Sequence, residues 1–179
     1  TDIHHPTDST LLSDGIRIIT RWLAEGKELT PEPSYQYSDH RRAVKKKVMI
    51  ILNAKKDTIR INAYRDLVRY ASLVKGYAKS AIAELSIYEG HDLPDTFARR
   101  ELARRLEHAV NILSKVIDQT ERRIFRNEKV PASEKVVSFF EEHTDIIVKG
   151  RRQTEYGHKI FLSGGTSTMI LGCLVVRGN

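Results

Sequence analysis

The sequence predicts an α+β chain, mostly helical, in which a long antiparallel helical hairpin precedes a sheet-forming region. Three observations predict it. Apolar residues recur at three- and four-residue spacing through most of the chain up to Arg126. Two of those stretches are long, matched and separated by only a few residues around Pro94. After Val130-Pro131 the character changes, and β-branched and aromatic residues cluster in short runs. At 179 residues, 40% of them apolar, the chain is long enough for one domain with a real core, or for a core plus a helical arm.

The first helix is predicted from Thr10, where Leu11, Leu12, Ile16, Ile19, Trp22 and Leu23 fall on one face and Asp8 or Ser9 is placed to cap the start; it ends near Gly26. Lys27 to Ser38, with Pro31 and Pro33, reads as a loop without chemistry. A second helix covers Asp39 to Ala54, with a narrow stripe of Val44, Val48, Ile51 and Leu52 and a basic remainder. The third runs from near Asp57 to Glu89-Gly90, about eight turns. After His91-Asp92-Leu93-Pro94, a fourth runs from Asp95 to Arg126 with Leu102, Leu106, Ala109, Val110, Leu113, Val116, Ile117 and Ile124 on one face. Strands are expected over Val136–Phe140, Ile146–Val148, Lys159–Leu162 and Met169–Val176, with Ser163 to Ser167 as a hairpin loop. The boundary between helical segment and strands falls at 132/133, and no internal repeat is present.

Charge narrows the partners. The net charge is +7, and residues 41–129 hold 21 Lys or Arg against 11 Asp or Glu, so the positive charge is concentrated in the middle of the chain. Such asymmetry favours a polyanionic partner, although helical hairpins also carry Lys and Arg on merely solvated faces. No run of eighteen apolar residues exists to span a bilayer, and the first residues lack a signal-peptide pattern, so a cytoplasmic protein without membrane attachment is expected. The single cysteine, Cys173, excludes an internal disulfide and is expected to be a buried structural thiol. Walker-type, dinucleotide and zinc-spacing motifs are missing from the sequence, so ATP, NAD and structural zinc are not indicated. The chain opens on Thr1 and closes on Arg177-Gly178-Asn179 directly after a strand-like run, so both ends are expected to continue in a longer protein.

Two segments carry a family likeness. Ile3-His4-His5-Pro6-Thr7-Asp8-Ser9-Thr10-Leu11-Leu12-Ser13-Asp14-Gly15 stands at one end, and Glu134-Lys135-Val136-Val137-Ser138-Phe139-Phe140 through His143-Thr144-Asp145, Lys149-Gly150-Arg151-Arg152 and Glu155-Tyr156-Gly157-His158-Lys159-Ile160 at the other. In that order, with helices between them, they resemble the transposases of bacterial insertion sequences that cut DNA at an Asp-Asp-Glu metal site. The resemblance implies a helical insertion within a partial RNase H-like sheet. It also implies that Mg2+ serves the parent enzyme through acidic ligands outside these residues, so that the chain by itself is inactive. Asp2 matches a non-catalytic position. Asp8 reads as a helix-starting carboxylate rather than a metal ligand. His4 and His5, adjacent in an extended segment, face opposite ways and do not share a metal; the resemblance gives them a supporting or DNA-contacting place.

The candidate DNA-binding residues are Lys149, Arg151, Arg152, His158 and Lys159, around a turn leading into strands, with Arg41, Arg42, Lys45 and Lys46 on the second helix. A solvated basic turn is the competing reading of the first group. His143-Thr144-Asp145 is read as a turn, since no placed nucleophile accompanies it. The expected function is a segment of a metal-dependent DNA transposase. The alternative is a non-catalytic basic helical module that binds DNA or pairs with a second copy through its hairpin.

Overall fold

The computed structural model describes residues 7–30, 34–87, 93–140, 144–149, 153–157, 159–164 and 170–176. Four helices come first: α1 (Asp8–Leu29), α2 (Arg41–Asn53), α3 (Asp57–Ile87) and α4 (Leu93–Thr120). A π-helical turn over Glu121–Phe125 and a short 3-10 turn over Ala132–Glu134 follow. Four strands end the chain: β1 (Asp145–Lys149), β2 (Gln153–Gly157), β3 (Lys159–Gly164) and β4 (Ile170–Val176).

The helices pack as a bundle whose directions follow from their end contacts. At one end, the Tyr64 hydroxyl meets Ser9, while Arg123 and Gln119 reach Asp8. At the other end, Gly26 lies between Leu102 and Leu85. Thus α3 and α4 are antiparallel, and α1 runs alongside α3. Leu67, Ala71, Val74, Ala78, Ala81 and Leu85 of α3 meet Leu102, Leu106, Ala109, Leu113 and Val116 of α4 in the buried core, with Leu12, Ile16, Ile19 and Leu23 of α1. Each fully buried Leu, Ile or Val contributes about 1.5–3 kcal/mol of transfer free energy. The long apolar stripes are therefore consumed within the chain. The shorter α2 folds back along α3 and α1, burying Val44 and Ile51.

Helix ends depart from expectation for local reasons. Thr7, not Asp8 or Ser9, caps α1: its hydroxyl accepts the Thr10 N–H at 3.2 Å and the Thr10 side chain returns the bond to the Thr7 N–H at 3.1 Å. The same helix passes Gly26 and continues to Leu29. Gly26 sits there because an added Cβ would lie 2.7 Å from the Tyr35 hydroxyl, which donates to the Leu23 carbonyl at 2.7 Å. Residues 34–38 are non-helical and pinned, since Ser34 and Tyr35 N–H groups donate to the Glu84 carboxylate. The α-helical part of α4 stops at Thr120 rather than Arg126, where the wider π turn takes over. The expected end of α3 at Glu89-Gly90 lies outside the described residues.

Residues 136–140 are not a strand. Gln119 takes both polar groups of Val136, accepting its N–H at 2.9 Å and donating to its carbonyl at 3.4 Å, so that backbone has no ladder partner. Val137 and Phe139 turn inward, and the Phe139 ring lies over Gly15 of α1.

The strands form two separate antiparallel hairpins, β1 with β2 and β3 with β4. The sequence reading missed β2, because Gln153-Thr154-Glu155-Tyr156-Gly157 lacks an apolar run. Ile160, Phe161 and Leu162 are consecutive, hence on alternating faces, and all three are exposed. Cys173, opposite Leu162, is likewise exposed rather than a buried thiol, because no described layer covers this two-stranded hairpin. The chain is thus α+β and mostly helical.

Candidate nucleic-acid interface

The sequence-predicted cations divide by what the fold does with them. On α2 the inward positions are Val44, Val48 and Ile51, so Arg42, Lys45 and Lys46 point away from the bundle and are exposed. None of the three has an ion-pair partner among the described residues. Arg41 differs. Its guanidinium grips Asp39 through Nε at 3.0 Å and Nη2 at 2.7 Å, and its N–H donates to the same carboxylate at 2.9 Å. That guanidinium holds the Asp39 carboxyl below its usual range. Arg41 is mainly a clamp at the start of α2. Lys47 is likewise committed, at 2.6 Å from Asp66 on α3, and it lowers the Asp66 carboxyl in the same way.

Two further contacts fix the orientation of α2. His40, just before the helix, stacks on Tyr70 and Tyr77 of α3 with ring centroids 5.0 and 6.1 Å away. Arg69 lies over the Tyr70 ring at 5.6 Å. The outward row of cations is therefore presented by a helix held at its start by His40 and midway by Lys47.

The α2–α3 turn adds Lys55 and Lys56, both exposed and without an ion-pair partner among the described residues. The sequence reading passed over them. Their signal was available, because they fall between two helical periods with no acidic neighbour at helical spacing on α2. Beside them Met49, Ile50, Leu52 and Ile59 are exposed, and an open recess of about 420 Å³ is lined by Ile50, Asn53, Ala54, Lys55, Lys56 and Ile59.

This corner shares one end of the bundle with a buried polar node. Asp8 is buried, accepts from Gln119 Nε2 at 2.6 Å, and is held by Arg123 Nη1 at 2.8 and 3.0 Å. Gln119 in turn holds Val136. Consecutive arginines of the π turn diverge: Arg123 reaches Asp8, while Arg122 reaches Glu134 at 2.7 Å and Glu128 at 3.1 Å. The node joins residues 7–9 to residues 134–140. Asp8 is thus more than a helix-starting carboxylate, and its oxygens are committed to the node. Among the described residues no group of three His, Cys, Asp or Glu side chains is placed to hold a metal ion.

The second predicted group lies near the hairpins. Lys149 ends β1, paired with Gln153, and Lys159 begins β3, paired with Val176. Arg151, Arg152 and His158 lie outside the described residues, as do Asp2, His4, His5 and His143. No described helix is long and apolar enough to cross a membrane. The chain matches no protein-family model, no curated protein and no solved structure.

Proposed function

We propose that the chain is a segment of a DNA transposase of the Asp-Asp-Glu class, contributing a helical arm whose cationic corner holds duplex DNA. One observation carries the DNA-binding part. Arg42, Lys45, Lys46, Lys55 and Lys56 are exposed and have no ion-pair partner among the described residues, and the row runs from the middle of α3 to Lys55 and Lys56, at the end of the bundle where Tyr64 meets Ser9 and Gln119 meets Asp8. Clustered cations without carboxylate partners release counterions from phosphates on binding, which makes such a surface selective for polyanions. The resemblance supplies the chemistry: strand cleavage and transfer through two Mg2+ ions whose ligands stand outside residues 1–179. In this reading the two hairpins are parts of an RNase H-like sheet, and the exposed Ile160, Phe161, Leu162, Ile170 and Leu174 of the β3–β4 hairpin are surfaces that further strands and helices cover. If the protein assembles with itself, the α3–α4 stripe is already occupied, and the exposed Ile87, Leu93 and Phe97 at the opposite end are the available apolar surface.

A non-catalytic DNA-binding module is the second reading, favoured by the helical core closing within the chain. Fluorescence anisotropy with a mixed-sequence duplex tests what the two share: affinity falls steeply with salt, and loss of binding even at low salt would sink both. Reading the coding sequence outward separates them. An upstream strand ending in Asp, with a later Asp and a Glu, supports the transposase, and Mg2+-dependent strand cleavage by that longer protein is its direct test.

A further inference from the structure

The corner carries more than charge. Along the outward face of α2, Lys45 and Lys46 come first, Met49 follows one turn later, and Leu52 and Asn53 one turn after that; Lys55 and Lys56 then close the row. Met49, Leu52 and Ile59 remain 52%, 61% and 49% exposed, while Val44 and Ile51 are the α2 residues that face the core. A purely electrostatic surface has no use for them. A partner that meets Lys45 and Lys46 meets Met49 and Leu52 too, so it presents negative charge on both sides of an apolar layer. Duplex DNA does so at its minor groove, where phosphate rows flank stacked bases and Met, Leu or Ile side chains wedge between base steps.

An anionic lipid surface also pairs charge with apolar depth, but Asn53 opposes it. Its amide sits in the middle of the apolar face, with Nδ2 donating to the Met49 carbonyl at 2.8 Å and its oxygen accepting no hydrogen bond among the described residues. Burying that oxygen in hydrocarbon is unfavourable, whereas a groove floor offers water and guanine amino donors. Asp57 beside Ile59 is matched by the Arg60 guanidinium, so it does not repel phosphate as a bare charge.

We propose that the α2–α3 corner presses Met49 and Leu52 against the base stack in the minor groove and bends the duplex, with Lys45 and Lys46 on one phosphate row and Lys55 and Lys56 on the other. This rests on the DNA-binding reading above and adds to it a deformation of the substrate.

The test uses the full chain and a duplex carrying a donor and an acceptor dye at its two ends, with anisotropy on the same samples. The wild-type chain brings the ends together, in the range of about 20–90° of bend that apolar wedges produce. The double substitution Met49→Ala/Leu52→Ala binds with affinity within a few fold and the same salt slope, yet loses at least half of the end-to-end shortening. Leu52→Lys, which adds a cation while removing the wedge, binds as tightly or tighter and also bends less. A wild-type complex with a straight duplex, or bending unchanged in both variants, overturns the wedge and leaves the DNA-binding reading standing. No duplex binding overturns both. Sedimentation with anionic phosphatidylserine vesicles that depends on Met49 and Leu52, without DNA bending, assigns the corner to a lipid surface instead and also overturns the proposal.

Discussion

Two helical glycines form a matched pair that tests how residues 136–140 are anchored. Gly76 on α3 has open space where a Cβ would stand, with nothing within 4 Å. Gly15 on α1 does not: the same atom would lie 2.7 Å from Phe139 Cε2, 2.9 Å from Leu113 Cδ1 and 3.2 Å from Phe139 Cζ. Replacing either by Ala gains about 1 kcal/mol of helix propensity. At Gly15 that gain is opposed by overpacking, about 1–3 kcal/mol where a well-packed ring has to shift. Taking the difference between the two variants cancels the propensity, so Gly15→Ala should be less stable than Gly76→Ala by about 1–3 kcal/mol.

Urea unfolding followed by far-UV circular dichroism reads this difference directly, as midpoints at constant slope. The Phe139→Ala background sharpens the test: with the ring gone, only the Leu113 contact remains, and the gap between the two glycine variants narrows. If Gly15→Ala and Gly76→Ala are equally stabilising, or the gap is unchanged without Phe139, the ring does not rest on α1 and residues 136–140 are not anchored as described.

Four further outcomes follow from the same geometry. Arg42→Gln/Lys45→Gln/Lys46→Gln should lower the slope of log affinity against log salt for duplex DNA by about 2 to 3, whereas Arg41→Gln, already held by Asp39, should change it by well under one. Gln119→Leu leaves the buried Asp8 carboxylate short of a donor and both Val136 groups without their partner, so it should destabilise by about 2–3 kcal/mol in chemical denaturation. Asp39 and Asp66 have carboxyls held below their ordinary range by Arg41 and Lys47, so what they contribute is complete above an unfolded value near about 4 and is lost as pH falls through the lower folded values. The Arg41–Asp39 pair is exposed and the Lys47–Asp66 pair half-buried, and each is worth about 0–1 kcal/mol, so limited proteolysis should show α2 loosening only below about pH 4, and loosening near neutrality would contradict the pairing. Gly26→Ala sets an overpacking cost of about 1–3 kcal/mol at the Tyr35 hydroxyl against about 1 kcal/mol of helix propensity, so it should destabilise by up to about 2 kcal/mol, and Tyr35→Phe should rescue part of that loss, so that the double variant is more stable than the two single changes added.

The helices were legible because their burial is one-sided and long. Leu67 to Leu85 and Leu102 to Val116 repeat a helical period over many turns, and no other placement buries them. What failed was local and depended on distant partners. Gly26 reads as a helix stop unless Tyr35 is known to lie over it. Val136 to Phe140 has strand composition, but Gln119, seventeen residues earlier, satisfies Val136 and the helices take Phe139. At the interface, the basic row on α2 was visible as a run of Lys and Arg. That Arg41 is bound to Asp39 and Lys47 to Asp66 was not, since ion pairing is decided by which carboxylate the fold brings near. The π turn had no sequence signal at all, because Glu121-Arg122-Arg123-Ile124-Phe125 continues the helical period of α4.

The position of the node bears on how the cationic corner and residues 7–9 and 134–140 act together. Tyr64, whose hydroxyl is raised in pKa chiefly by burial, meets Ser9 only two turns into α3 from the Lys55-Lys56 turn. Asp8, one residue before Ser9, is held by Arg123 and Gln119, and Gln119 holds Val136. A chain of packed and hydrogen-bonded groups therefore runs from the first turns of α3 to both segments through the buried Tyr64, Ser9, Asp8 and Gln119. On the proposed DNA-binding reading, a duplex gripped at Lys55 and Lys56 is set at a fixed distance from residues 7–9 and 134–140, which a flexible basic tail would not do. Gln119→Leu separates these alternatives by function as well as by stability. If the corner acts alone, the variant binds and bends DNA as the wild type does. If the node sets the geometry, it keeps its affinity and salt slope while the spread of end-to-end distances in the bent complex broadens.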